Sequence, residues 1–341
     1  MNLKTLRQNL APRCGLAALA SAWLLSSAAA FSAGLQGDLR IHDPSTLIRC
    51  GERYYVFDTG SGIITKSSAD LVSWSAGPRV FDSPPGWTTN SVPGFRGFCW
   101  APDLIFTNGC YWLYYSVSTW GSPVSAIGLV TNPTLDPAAP AYRWTDRGLV
   151  VQSRAGDVFN AIDPSVARDA SGNLWLAFGS YWSGIKLVPL DSTTGKLPAP
   201  DTPRDSLAWN TSIEAACLHY RAGWYYLFVN WDRCCAGVNS TYNLRVGRSR
   251  QITGPYLDRV GKDMREGGGT LFLGTTGRYI GPGHLGILED RGTNWFSYHY
   301  YDANRGGRPT LDLRRLDWTE DGWPAVPPNR CPPRGQPGQP G

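Results

Sequence analysis

Residues 162–180 read IDPSVARDASGNLWLAFGS. A polar opening leads into a short apolar stretch, a turn at Gly172, and then LWLAF, a run of residues that suits a pleated strand. Gly172 supplies the positive φ that a tight turn needs. The stretch therefore predicts a β-hairpin. Four further segments share its pattern: HDPSTLIRCGERYYVFD from His42, WAPDLIFTNGCYWLYYS from Trp100, IEAACLHYRAGWYYLFVN from Ile213, and GHLGILEDRGTNWFSYHYY from Gly283. Their turns fall at Gly51, Gly109, Gly223 and Gly292. Successive units start roughly 50–70 residues apart, which leaves room for four short strands each. The repeat predicts an all-β, five-bladed β-propeller over residues 34–325. Residues 62–67, 126–131, 184–190 and 244–250 fit its outer strands and loops. No stretch between 37 and 324 has the period of a long amphipathic helix. The competing reading is an irregular β-sandwich with accidental similarity among the five segments.

Working outward, the two ends differ from this body. Lys4, Arg7 and Arg13 precede an apolar run that ends in small residues near Ala30 and Ala33. That is the pattern of a signal peptide over residues 1–33, so the protein is expected to be secreted. The apolar run is short for a membrane span. At the other end, residues 326–341 are too rich in Pro and Gly to pack, and predict a disordered tail. The whole chain of 341 residues carries a formal charge of +5, and loss of the three leader cations lowers it to about +2. A nearly neutral protein with 17% charged residues is not built for nucleic acid or an anionic membrane, and it suits an uncharged substrate. Eight cysteines include Cys14 of the leader, which leaves an odd number. Four histidines, none at ligand spacing with a cysteine, give no zinc pattern.

In a propeller, the innermost strands line a central channel, and residues at one end of them converge. The repeat register sets Asp43, Asp163 and Glu214 at equivalent places, with Asp103 and His284 in the corresponding places of the second and fifth units. Three carboxylates brought together repel one another and resist burial, so such a cluster points to function. Paired carboxylates serve glycosidic cleavage best: one is protonated to release the leaving oxygen, and another is ionised to act on water or the sugar. Each Asp-Pro taken alone is a common turn or strand-start feature. Competing motifs fail on context. Residues 281–286, GPGHLG, match a dinucleotide-binding pattern in letters, but Pro282 sits inside it and Gly292 turns the chain before a helix could form.

With HDPS, CWAPD, NAIDPS, GSYWSGI, SIEA, CCAGVNSTY and RYIGPGH in this order, the chain resembles the arabinanases of glycoside hydrolase family 43 from about His42 to the Trp318 region. The resemblance implies a five-bladed propeller that hydrolyses α-1,5-linked arabinan of plant cell walls with inversion. On matching positions, it implies Asp43 as general base, Glu214 as general acid, and Asp163 as the carboxylate that orients the acid and adjusts its pKa. It also implies that Trp100 is an aromatic platform beside the reactive sugar. Trp120 and Gly121 stand where relatives usually show Phe, and Asn160, Ser180, Tyr181, Trp182 and Tyr242 match segments lining the substrate cleft. His284 resembles the histidine beneath the active site, near a bound ion or its water shell. No cofactor is required on this reading, and Ca2+ held through water at His284 is the ion the resemblance admits.

The vicinal pair Cys234-Cys235 matches the family at the cleft, either as a disulfide or as two reduced thiols. Cys50, Cys99, Cys110 and Cys217 exceed what the family's chemistry needs and offer structural disulfides whose connectivity the sequence does not give. Endo action on arabinan is the leading expectation, by a monomer. An exo-acting arabinofuranosidase or β-xylosidase on the same scaffold is the alternative enzyme. A carbohydrate-binding propeller without catalysis is the alternative of another class.

Overall fold

A computed structural model describes residues 34–327. The signal-peptide reading of residues 1–33 and most of the proposed tail lie outside them. Five large sheets follow one another along the chain, antiparallel except that Gln36–Gly37 pairs parallel with the outer strand of the first, and a two-stranded ribbon of Asp317–Trp318 and Pro324–Ala325 follows them. The first blade contains strands Ile48–Cys50, Arg53–Asp58, Ile64–Ser68 and Ser73–Ala76. The second runs through Phe98–Thr107, Cys110–Val117, Ser125–Asn132 and Thr145–Ser153. The third holds Ser165–Arg168, Leu174–Phe178, Ile185–Leu190 and Asp205–Ala208. The fourth has Ile213–Arg221, Trp224–Trp231, Asn243–Ser249 and Thr270–Leu273. Tyr279–Asp290, Thr293–Asp302 and Arg308–Arg315 make the fifth. This is the five-bladed propeller that the repeat predicts. The segments expected as outer strands form the third of the four strands named for each blade. The helix Trp87–Ser91 is five residues long, and no helix among the described residues is long and apolar enough to cross a membrane.

The hairpins form where the turn chemistry places them. Asn108-Gly109, Ala222-Gly223 and Arg291-Gly292 each adopt positive φ at both residues, the twist that suits a two-residue hairpin loop. The aromatic strands then divide their side chains between two neighbours, because successive residues point to opposite faces. In the second blade, Tyr111, Leu113, Tyr115 and Val117 pack towards the first blade, with Tyr55, Phe57 and Ile63. Trp112 and Tyr114 pack towards the third, with Leu174, Leu176 and Phe178. In the fourth, Tyr225, Leu227 and Val229 face the third blade, while Tyr226 and Phe228 face the fifth. The apolar core is thus a series of inter-blade layers, not one central mass.

Backbone bonds tie the fifth blade to the first. The Leu311 amide donates to the Leu39 carbonyl at 2.8 Å, the Ile41 amide donates to Pro309, and Arg40 bridges Thr310. Residues 39–41 therefore supply an edge to the last blade and close the ring, while Gln36–Gly37 just before them pairs with the outer strand of the first. The Tyr54 hydroxyl donates to Asp290 at 2.6 Å across the same junction.

Candidate active site

First strands of neighbouring blades lie against one another, so their entrances ring one end of the central channel. Each entrance carries a residue with left-handed backbone: Asp43 (φ 51°), Ala101 (40°), Asp163 (56°), Ala215 (54°) and His284 (58°). The strand pairing slips at three of them, between Trp100 and Asp103, Glu214 and Cys217, and Gly283 and Gly286. Such backbone costs on the order of 1–3 kcal/mol per residue and collects at functional sites. These five residues set the true register, and it corrects the one read from the sequence. Glu214 precedes the equivalent place by one residue, and Asp103 follows it by two. His284 alone of the expected counterparts is equivalent to Asp43 and Asp163.

The strand entrances and their loops enclose a cleft of about 1630 Å³. Asp43, Asp163, Glu214, Trp100, Trp120, Gly121, Asn160, Ser180, Tyr181, Trp182 and Tyr242 all line it. His284 is buried below its floor, with Nδ1 3.5 Å from Asp43 Oδ1. The Trp100 and Trp120 rings meet edge-on at 6.4 Å. Trp120 is 78% exposed, an apolar face held out in the cleft mouth. The Asn160 Oδ1 is buried without a partner on the cleft wall, an acceptor left open.

Asp43 is held from several sides. The Thr59 hydroxyl donates to its Oδ2 at 2.7 Å, and His42 Nδ1 lies 2.8 Å from the same oxygen. With His42 donating there, its Nε2 faces the Tyr301 hydroxyl at 2.8 Å, which in turn accepts the Cys235 amide at 2.7 Å. The Asp43 amide donates to His299 Nδ1 at 3.1 Å. Burial works to raise the Asp43 pKa. The charge and hydrogen bonds of His42 and His284 outweigh it and hold the carboxyl well below its ordinary range.

Glu214 is treated in the opposite way. Burial raises its pKa, the Tyr242 and Ser180 hydroxyls donating at 2.7 and 2.8 Å pull it back, and the charge of Asp43 adds to the rise. The net direction is up. Asp163 accepts the Ala215 amide at 3.2 Å, which ties it to the residue beside Glu214. Burial raises its pKa well above normal, and the charge of Glu214 adds to that. Two carboxyls whose surroundings push them apart are the mark of an acid and base pair.

Asp103 has another role. Its two oxygens accept the Thr46 amide of the first blade and the Val166 amide of the third, both at 3.0 Å. It is buried and pins three blades together. The cysteine expectation also needs correction: Cys50, Cys99, Cys110 and Cys217 are free, and Cys99 packs in the layer between blades one and two. Cys234 and Cys235 are joined as a vicinal disulfide and line the cleft. Sequence reasoning missed Thr59, His42, Tyr301 and His299. The groups that hold Asp43 sit at positions with no motif of their own, apart from the His before Asp43.

Calcium takes six to eight oxygen ligands. His284 brings one nitrogen, and the carboxylate beside it is already bonded to Thr59 and His42. The protein does not form a calcium cage here, so an ion at His284 would carry most of its shell as water. His42, Asp43 and His299 have donor atoms within 4.8 Å of one another, but both His42 nitrogens and His299 Nδ1 are engaged in hydrogen bonds around Asp43.

The sequence profile of glycosyl hydrolases family 43 matches residues 37–324. An extracellular endo-α-(1→5)-L-arabinanase of Bacillus subtilis (strain 168) is 43% identical over 91% of this chain and 95% of its own length. An extracellular exo-α-(1→5)-L-arabinofuranosidase of Cellvibrio japonicus (strain Ueda107) is 40% identical, over 84% of this chain and 86% of its own. The solved structure of Cellvibrio cellulosa α-L-arabinanase complexed with arabinohexaose superposes with a TM-score of 0.81 at 39% identity, covering 85% of this chain and 96% of that one. With the matched profile spanning nearly all of the propeller and its carboxylates, the chain belongs to glycosyl hydrolase family 43.

Proposed function

We propose that this protein is a secreted, monomeric endo-1,5-α-L-arabinanase that cleaves plant arabinan within the chain and inverts the anomeric centre. The observation that carries the reading is the opposite electrostatic treatment of Asp43 and Glu214 in one cleft. Asp43, held ionised, takes a proton from water as the water oxygen bonds to the anomeric carbon. Glu214, whose burial favours the protonated form, gives its proton to the glycosidic oxygen as the carbon–oxygen bond breaks. An inverting pair needs room for that water between its two carboxylates, and here they stand on different blades across the cleft. Asp163 orients the strand carrying Glu214 and keeps its charge state matched to the acid. Trp100 packs against the C–H face of the sugar, and Asn160 offers an acceptor to a hydroxyl. Ca2+ held through water at His284 is an accessory of the reading, and no step is routed through it. The leader in residues 1–33 and the extracellular relatives support export.

The test is product size and configuration from linear arabinan. Mixed oligomers early in the reaction, with inverted anomeric configuration by proton NMR, are expected. Glu214→Gln should lower kcat by about 10²–10⁴-fold, the usual share of general acid catalysis. Full turnover by that variant would remove Glu214 as the acid. The exo reading has one observation in its favour, the Cellvibrio japonicus relative at 40% identity. Arabinose alone from the first time point would establish it instead.

A further inference from the structure

Beside the cleft lies a second, open pocket of about 610 Å³ on the rim of the third blade. Trp182 lines both. The far wall is Trp209, 44% exposed, with Val158, 71% exposed, near it. Soluble proteins seldom hold two indoles and a valine out to water around one hollow without a use for them. Here the rings are also fixed. The Trp209 indole N–H donates to the Trp182 carbonyl at 3.2 Å, and its amide donates to Met264 at 2.9 Å. Tyr181 and Trp182 both adopt positive φ, at 52° and 36°. Two strained residues in a row fix the direction in which Trp182 projects.

The polar lining, in which the Arg265 guanidinium is already paired with Asp263 at 2.6 Å, suits a neutral, hydroxyl-rich ligand. Lys186 is 8% exposed and donates to the Ser183 carbonyl at 2.7 Å and the Ser206 hydroxyl at 2.9 Å. An ammonium has three donors, so one remains for a ligand oxygen. The buried Ser183 Oγ has no partner. Asp157 adds an acceptor at the edge. Flat apolar rings beside a few convergent hydroxyl partners match a sugar, whose C–H face stacks on indole while its hydroxyls bond outward.

We propose that this pocket is a distal sugar site, in which Trp209 binds further arabinosyl units of the same chain that occupies the cleft. The inference rests on the arabinan reading above. The shared Trp182 carries the argument for that occupant: a linear polymer leaving the cleft past its ring passes directly onto Trp209. The pocket touches none of the reacting carboxylates. It therefore contributes binding to long substrates and nothing to bond cleavage.

The test is Trp209→Ala, assayed on linear arabinan and on arabinotriose. The expected result is a KM on the polymer raised about tenfold, the equivalent of about 1.4 kcal/mol. The kcat on polymer and both constants on the trimer should stay at wild-type values, and Trp209→Phe should recover most of the polymer KM. A binding readout independent of turnover is retardation of Glu214→Gln in gels containing arabinan, which Trp209→Ala should weaken. An unchanged polymer KM, or equal losses on polymer and trimer, would overturn the distal site. Absence of product from the wild-type enzyme on any arabinan would instead overturn the substrate assignment, so the two failures are distinguishable.

Discussion

Asp43 and Glu214 differ less in chemistry than in what surrounds them. Hydroxyl donors reach both, but Asp43 also has imidazoles beside it, while Glu214 has another carboxyl. A single hydroxyl should therefore tune the acid. The Tyr242 O–H favours the ionised form of Glu214, so Tyr242→Phe raises the Glu214 pKa further. Catalysis needs that group protonated, and activity falls as pH rises through its pKa. The alkaline limb of kcat/KM against pH should then move to higher pH in Tyr242→Phe, with the acid limb unmoved. A shift to lower pH would contradict the assigned role. At this scale the sequence carried the carboxylates and the cleft-lining residues, because the repeat and the family motifs both mark them. It did not carry the Tyr301–His42–Asp43 relay. His42 and Tyr301 are 259 positions apart, and a bond across that distance leaves no local pattern. Asp103 shows the converse: it sits in a motif as Asp-like as the others, and only its two amide partners reveal a structural clamp.

The element that organises the site is the kinked entrance to each inner strand. Alternation and turn glycines made the hairpins legible from sequence. The kinks were not, because two of the five left-handed positions are Ala101 and Ala215, which advertise no special backbone. That is why the register read from the sequence placed Glu214 one residue off. Close approach between strands is equally silent until seen. A Cβ on Gly286 would lie 2.6 Å from the Thr46 Cα, a backbone atom that cannot swing aside. Gly286→Ala should therefore wedge the fifth blade from the first and destabilise the protein by about 1–3 kcal/mol, the usual cost of overpacking. A lowered denaturant midpoint with an unchanged slope would be the signature. An unaffected midpoint would mean that the junction yields more easily than its backbone contacts imply.

Over the whole molecule, apolar layers join each blade to the next from the first to the fifth, and backbone bonds from residues 39–41, with Tyr54 to Asp290, tie the fifth to the first. The five-bladed ring was legible from the repeat, but not how it closes, since the closing segment lies before the first repeat and resembles none of them. The 39–41 segment is held by only a few backbone bonds, and a weakly held segment opens locally before the fold as a whole. Stepped heating should therefore show residual activity falling at a lower temperature than the far-UV circular dichroism of the sheets. Coincident transitions would show that the seam is as firm as the other junctions.

Ile41, the last residue of that seam, stands two positions from Asp43, and His42 between them holds the base. On that placement, loss of activity should follow the opening of this one locality, and not the average strength of the blades. Storage half-life and melting temperature become separate quantities to engineer. Substitutions that fill inter-blade layers should raise the second with little effect on the first. A covalent staple between the 39–41 segment and the strand beside it should prolong activity even if the melting curve hardly moves.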